Sequence, residues 1–163
     1  MSRPRFIIDL ATCTGCGVCA VACRDRADLP DEAAWLRLVA EEAGAYPRPS
    51  LTYRVVHCFH CAHAPCAAAC PVGAIARQED DWVQLDEALC TGCGACLSAC
   101  PFGAIAQRAE GVATKCDGCA DEVARGWPPT CVRACPMRAL AYADDNEGPG
   151  ARVADPAFSD HGA

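Results

Sequence analysis

The stretch ATCTGCGVCAVACRDR, residues 11–26, places Cys13, Cys16, Cys19 and Cys23 within eleven residues. Their spacing, C-x2-C-x2-C-x3-C, returns at Cys90, Cys93, Cys96 and Cys100. Two further groups follow looser versions of the pattern: Cys58, Cys61, Cys66 and Cys70, then Cys116, Cys119, Cys131 and Cys135. All sixteen cysteines fall into these four groups, with none left over.

The likeness extends beyond the thiols. LATCTGCGVCAVAC (10–23) matches EALCTGCGACLSAC (87–100), and Asp9 and Asp86 each stand four residues before the first cysteine. Groups two, three and four close on similar ends, CPVGAI (70–75), CPFGAI (100–105) and CPMRAL (135–140). Such self-similarity marks duplication of a small module.

The 163 residues suit one compact unit or two small intimate ones. Hydrophobic residues make up 52%, but aromatics only 6%, and alanine and cysteine inflate the larger figure. A core of ordinary side chains would be thin, so something else must fill the interior. The net charge of −7 argues against nucleic acid and leaves an acidic surface suited to a basic partner. Met1–Leu10 has no apolar segment of export-signal type, and Pro4 separates Arg3 from Arg5. The expectation is a cytoplasmic protein, periplasmic only if carried out with a signal-bearing partner, whose thiols stay reduced. Val55 to Ala76 runs 22 residues without a formal charge, long enough to span a bilayer. It holds four Cys, three His and two Pro, so it reads as a cofactor loop and no membrane span is expected.

Reduced, grouped cysteines point to metal. Eight disulfides suit neither the compartment nor the C-x2-C-x2-C loops. Zinc uses pairs of C-x2-C knuckles, roughly fifteen to twenty residues apart, and does not need three thiols on one loop. A 4Fe-4S cube has one iron corner for each thiolate. Three cysteines two residues apart let one tight loop wrap three corners, and Gly15, Gly17, Gly92 and Gly94 permit the close approach and positive φ this requires. In two-cluster ferredoxins the fourth cysteine ligates the other cluster. Four groups therefore predict four 4Fe-4S clusters.

With C-x2-C-x4-C-x3-C-P in group two and C-x2-C-x11-C-x3-C-P in group four, the chain resembles the four-cluster ferredoxin-type subunits of molybdenum and tungsten bis-pyranopterin oxidoreductases. These include the iron–sulfur subunits of dimethyl sulfoxide reductase, polysulfide reductase and formate dehydrogenase. The small polyferredoxin subunit of tungsten aldehyde oxidoreductases is similar. The resemblance covers about Phe6 to Tyr142, and the chain is shorter than such subunits usually are, as for a minimal soluble version. It implies four ligand sets: Cys13, Cys16, Cys19 and Cys135; Cys23, Cys116, Cys119 and Cys131; Cys58, Cys61, Cys66 and Cys100; Cys70, Cys90, Cys93 and Cys96. It also implies nested, pseudo-symmetric ferredoxin-like modules, an outer one from 1–54 plus 107–143 and an inner one from 55–106.

Between the groups, RFIIDL, LTYRVVH, DWVQLD and GVATKC read as short strands. Short helices are expected after the fourth cysteine of some groups. Residues 31–49 fit helix and strand equally. The Gly-, Pro- and Asp-rich residues 144–163 read as an extended or disordered arm. The fold class is α+β.

His57, His60 and His63 crowd group two. With no cysteine missing, they read as hydrogen-bonding surroundings rather than ligands. Lys115, Arg133 and Arg138 flank group four, where positive charge would favour a reduced cluster; a solvated surface role is the competing reading. Trp82 and Trp127 read as packing. No catalytic constellation or phosphate loop appears, so the chain reads as an electron-transfer subunit and not an enzyme. Its expected partners are a large Mo/W-pterin catalytic subunit and a second redox partner, such as a flavin/NAD or quinone-linked subunit. The duplicated modules add self-stacking of copies as a further expectation. The competing functions are the same wire in a hydrogenase or formate–hydrogen lyase complex, a free polyferredoxin, or a structural zinc module.

Overall fold

A computed structural model describes residues 5–143, so the arm expected over 144–163 lies outside the described residues. All eight strands pair two by two, antiparallel. Strand β1 (Arg5–Ile8) pairs β8 (Leu140–Ala143), tying the two ends of the described chain together. Strand β2 (Arg37–Ala45) pairs β3 (Arg48–Val56), β4 (Ile75–Arg77) pairs β5 (Val83–Leu85), and β6 (Ile105–Gln107) pairs β7 (Ala113–Lys115). Five short helices complete the α+β fold: α1 (Val18–Arg26), α2 (Pro65–Ala68), α3 (Ala95–Ala99), α4 (Ala120–Val123) and α5 (Thr130–Ala134).

One rule relates pairing to the cysteine groups. The strand after each Cys-Pro end pairs with a strand that leads into a first cysteine. Thus β4 after Cys70 pairs β5 before Cys90, and β6 after Cys100 pairs β7 before Cys116. Likewise β8 after Cys135 pairs β1 before Cys13. The same tie recurs at two of these joints: Asp9 N–H donates to the Ala139 carbonyl and Asp86 N–H to that of Ala74, both at 2.8 Å.

All four runs read as strands from sequence contribute to strands. The helices differ from expectation. They do not follow the fourth cysteine; α1, α2, α3 and α5 carry the third one, Cys19, Cys66, Cys96 and Cys131. Pro71, Pro101 and Pro136 explain the stop, because proline disfavours helix at the residue before it and lacks the N–H to continue. Group one has Arg24 at that place, and α1 runs on through Cys23 to Arg26. The ambiguous spacer resolves into a turn and then β2.

Aliphatic side chains gather in two small clusters. One holds Ile8, Leu36, Val55 and Leu140 with Cys19, Cys23 and Cys131. The other holds Ile75, Val83, Ile105 and Ala113 with Cys66 and Cys96. Among the described residues no helix is long and apolar enough to cross a membrane. The uncharged stretch 55–76 is the end of β3, a loop, the one-turn α2 and the start of β4.

Candidate functional site

Each cysteine loop is shaped by backbone geometry. Asp9 shapes the first: its Oδ1 accepts the Ala11 N–H (3.0 Å) and its Oδ2 the Thr12 hydroxyl (2.8 Å). Asp86 does the same before group three, accepting the Ala88 N–H at 2.9 Å. The residue before the second cysteine is left-handed in all four groups, with φ of 68° at Gly15, 46° at His60, 71° at Gly92 and 72° at Gly118. Glycine takes this conformation without steric cost, whereas His60 does not.

Three similar cavities are each ringed by four cysteines. Cys13, Cys16, Cys19 and Cys135 ring the first, together with Leu38, Val55 and Leu140. Cys70, Cys90, Cys93 and Cys96 ring the second, with Ile75 and Leu85. Cys58, Cys61, Cys66 and Cys100 ring the third, with His60, Val83 and Ile105. In each, the fourth cysteine of one group faces the first three of another. Of the remaining four, Cys23 and Cys131 sit on α1 and α5, which pack together. There Cys23 and Cys131 share one buried cluster, the charge of Cys119 acts on Cys23, and that of Cys23 acts on Cys131. Cys23 also acts on Cys116. Arg26 braces this corner, donating to Asp117 (2.8 Å), Glu122 (3.1 Å) and Asp121.

The Cys-Pro ends turn amides toward sulfur. Ala104 N–H donates to Cys100 Sγ at 3.4 Å and Ala139 N–H to Cys135 Sγ at 3.3 Å. At Cys70, slight burial raises the thiol pKa, but the backbone N–H groups of residues 72–75 outweigh it and hold the pKa below the usual thiol value. At four deeper thiols burial dominates. It pushes Cys23 and Cys131 up to about 12, aided by the neighbouring thiols, and Cys19 and Cys66 up to about 11. Metal binding must displace these protons, and positive iron supplies the reason they leave. All sixteen thiols are free of disulfides. Among the described residues, no three His, Cys, Asp or Glu side chains converge on a site for a single ion.

His57 and His60 are buried and His63 is exposed. Burial lowers the His57 pKa to about 4, and it holds His60 well below its ordinary value, helped by the Lys115 charge. His60 Nδ1 accepts the Val83 N–H at 3.1 Å, so the neutral ring carries its proton on Nε2. That Nε2, like the Nε2 of His57, is buried with no partner in the protein. Four thiols round an apolar cavity, amides turned to sulfur and an orphaned buried N–H beside it fit a 4Fe-4S cube, whose sulfurs accept hydrogen bonds.

The flanking cations divide. Lys115 is buried, Arg138 is exposed, and Arg133 lies over the Trp127 ring at 5.2 Å while pairing with Glu122. Trp82 packs as expected, buried at 4.6 Å edge-on to His60 and against Gly118. Trp127 does not pack inside; it is 58% exposed.

Paired cubes on ferredoxin-like loops define a class of protein, one that carries electrons. Comparison with known proteins agrees. Two families described as 4Fe-4S dicluster domains match residues 12–74 and 50–145. The B subunit of anaerobic dimethyl sulfoxide reductase from Escherichia coli (strain K12) is 40% identical over 87% of this chain and 74% of its own. The corresponding subunit of Haemophilus influenzae is 37% identical over 90% and 77%. The thiosulfate reductase electron transfer subunit PhsB of Salmonella typhi is 38% identical over 82% and 72%. The chain belongs to the 4Fe-4S dicluster family, as an iron–sulfur electron-transfer subunit of four 4Fe-4S clusters.

Proposed function

We propose that this subunit relays electrons between a Mo/W-pterin catalytic subunit and a second redox partner such as a flavin/NAD or quinone-linked subunit. The observation that carries the reading is the crosswise gathering of the fourth cysteines, joined to likeness over most of the chain to the B subunit of dimethyl sulfoxide reductase.

Three of the ligand sets take their support from the cysteine-ringed cavities, and the fourth from the mutual influence of its thiols. Cys13, Cys16, Cys19 and Cys135 hold one cluster, and Cys23, Cys116, Cys119 and Cys131 its neighbour. Cys58, Cys61, Cys66 and Cys100 hold the third, and Cys70, Cys90, Cys93 and Cys96 the fourth. The two apolar clusters, with Val55 and Ala113 crossing the boundary, support an outer module from 1–54 plus 107–143 and an inner one from 55–106, related by pseudo-symmetry. The β6–β7 hairpin ties the two ranges together. The charge of Cys58 acts on Cys116, which supports setting the second and third sets side by side in a row of four.

Bound clusters supply one-electron transfer. The chain's own residues fix the spacing, exclude water with Leu38, Val55, Ile75 and Ile105, and aim amide N–H groups at thiolates. The complex is placed in the cytoplasm, or in the periplasm only if carried out with a signal-bearing partner, because thiols must stay reduced until they take up iron.

Anaerobic purification of the tagged subunit from its native cell, with metal analysis of whatever comes with it, tests the partner. A large pterin-containing chain with Mo or W is expected. A nickel chain instead would move the wire to a hydrogenase.

A further inference from the structure

Lys115, the last residue of β7 and the neighbour of Cys116, is only 3% exposed. Its ammonium donates to two carbonyl oxygens, those of Val83 and Cys116, the latter at 2.6 Å. Among the described residues no carboxylate pairs with it. An ammonium taken out of water without an opposite charge is strongly unfavourable, and carbonyl dipoles offset only part of that.

The position of Lys115 indicates where the opposite charge comes from. Val83 lines the cavity ringed by Cys58, Cys61, Cys66 and Cys100. Its carbonyl accepts from Lys115 and its N–H donates to His60, on the wall of the same cavity. The second acceptor, the Cys116 carbonyl, belongs to the neighbouring set. Lys115 is thus pinned between two groups of thiolates.

We propose that Lys115 is the shared counter-charge of the two central clusters, the one on Cys58, Cys61, Cys66 and Cys100 and the one on Cys23, Cys116, Cys119 and Cys131, and raises the reduction potential of both. Four thiolates leave an oxidised cube with net negative charge, and each added electron increases it. A fixed cation shared by two cubes therefore favours their reduced forms over those at the ends of the row. This rests on the four-cluster row proposed above.

The test is a potentiometric titration, followed by electron paramagnetic resonance, of the full-length loaded subunit as wild type, Lys115→Met and Lys115→Arg. In Lys115→Met two of the four midpoint potentials fall and two stay; in Lys115→Arg the same two return toward wild type. Four unchanged potentials, or four that move together, overturn the proposal. Should Lys115→Met lose clusters, loss of two with recovery in Lys115→Arg supports a counter-charge, and equal loss in both variants overturns it in favour of shape. Iron and sulfide counts on the wild type separate the two ideas: a deficit there sinks the four-cluster row, whereas a full count with unmoved potentials sinks only the role of Lys115.

Discussion

Cys135 and Cys13 line one cavity, although two complete cysteine groups lie between them in the chain. The β1–β8 pairing places them together, with Ile8 opposite Leu140. If Cys135 serves the first cluster, Cys135→Ser perturbs the same paramagnetic signal as Cys13→Ser, and Cys131→Ser perturbs a different one. Should Cys135→Ser instead match Cys131→Ser, each group would hold its own cluster and the crosswise assignment would be wrong.

Gly118 has φ of 72°, and a Cβ there would run into the Trp82 ring. Gly118→Ala combines a left-handed alanine, about 1–2 kcal/mol, with overpacking of about 1–3 kcal/mol. Gly126 has φ of 83° but open space around its missing Cβ, so Gly126→Ala carries the backbone cost alone. Anaerobic thermal unfolding of the loaded protein should show a clearly larger fall in apparent Tm for Gly118→Ala. Equal falls would mean that Trp82 yields.

Arg138 repeats a position that glycine fills elsewhere. In the Cys-Pro ends, Gly73 has φ of 66°, Gly103 57° and Arg138 52°. The side chain is exposed, so little packing offsets the strain. Arg138→Gly should stabilise the protein by about 0.5–1 kcal/mol, the left-handed cost less the extra chain entropy of glycine. An unchanged or lower apparent Tm would show that the guanidinium makes up the difference.

Glu122 joins α4 to α5 and α1. Burial would raise its carboxyl, but hydrogen bonds from the Thr130 hydroxyl (2.8 Å) and Arg133 outweigh it and hold the pKa below the ordinary glutamate value. A depressed carboxyl stabilises the fold above its unfolded pKa, and that contribution is lost as pH falls through the folded value. Glu122→Gln should therefore cost about 2 kcal/mol near neutral pH. The gap to wild type should narrow as pH falls below about 5, where an unfolded glutamate begins to protonate, and on through the lower folded value. Unfolding followed by tryptophan fluorescence across that range checks it; a gap that does not change with pH would assign the loss to packing.

The ligand groups are legible because a cube constrains spacing tightly. C-x2-C-x2-C-x3-C and the Cys-Pro ends carry their meaning in the residue types alone. The strands RFIIDL and DWVQLD are legible as short aromatic and β-branched runs bounded by charged residues. β2 is not, because nearly every residue of Arg37–Ala45 is at least partly exposed, so no period of two separates an inner from an outer face. The helices fall elsewhere than expected although their signal is present: the proline after each of three fourth cysteines forbids a helix from running on. The burial of Lys115 leaves no trace in sequence, since its partners are carbonyls of Val83 on β5 and of its own neighbour Cys116. His60 does leave one. It occupies the place that Gly15, Gly92 and Gly118 hold in the other groups, and a non-glycine residue at a left-handed position is kept for what its side chain does.

Iron and acid-labile sulfide, counted per chain on anaerobically purified protein, bear most directly on the whole picture. Four full cubes require about sixteen of each. A count near eight, or stoichiometric zinc with little sulfide, would mean that half or all of these thiols serve another purpose, and the wire would not exist as described.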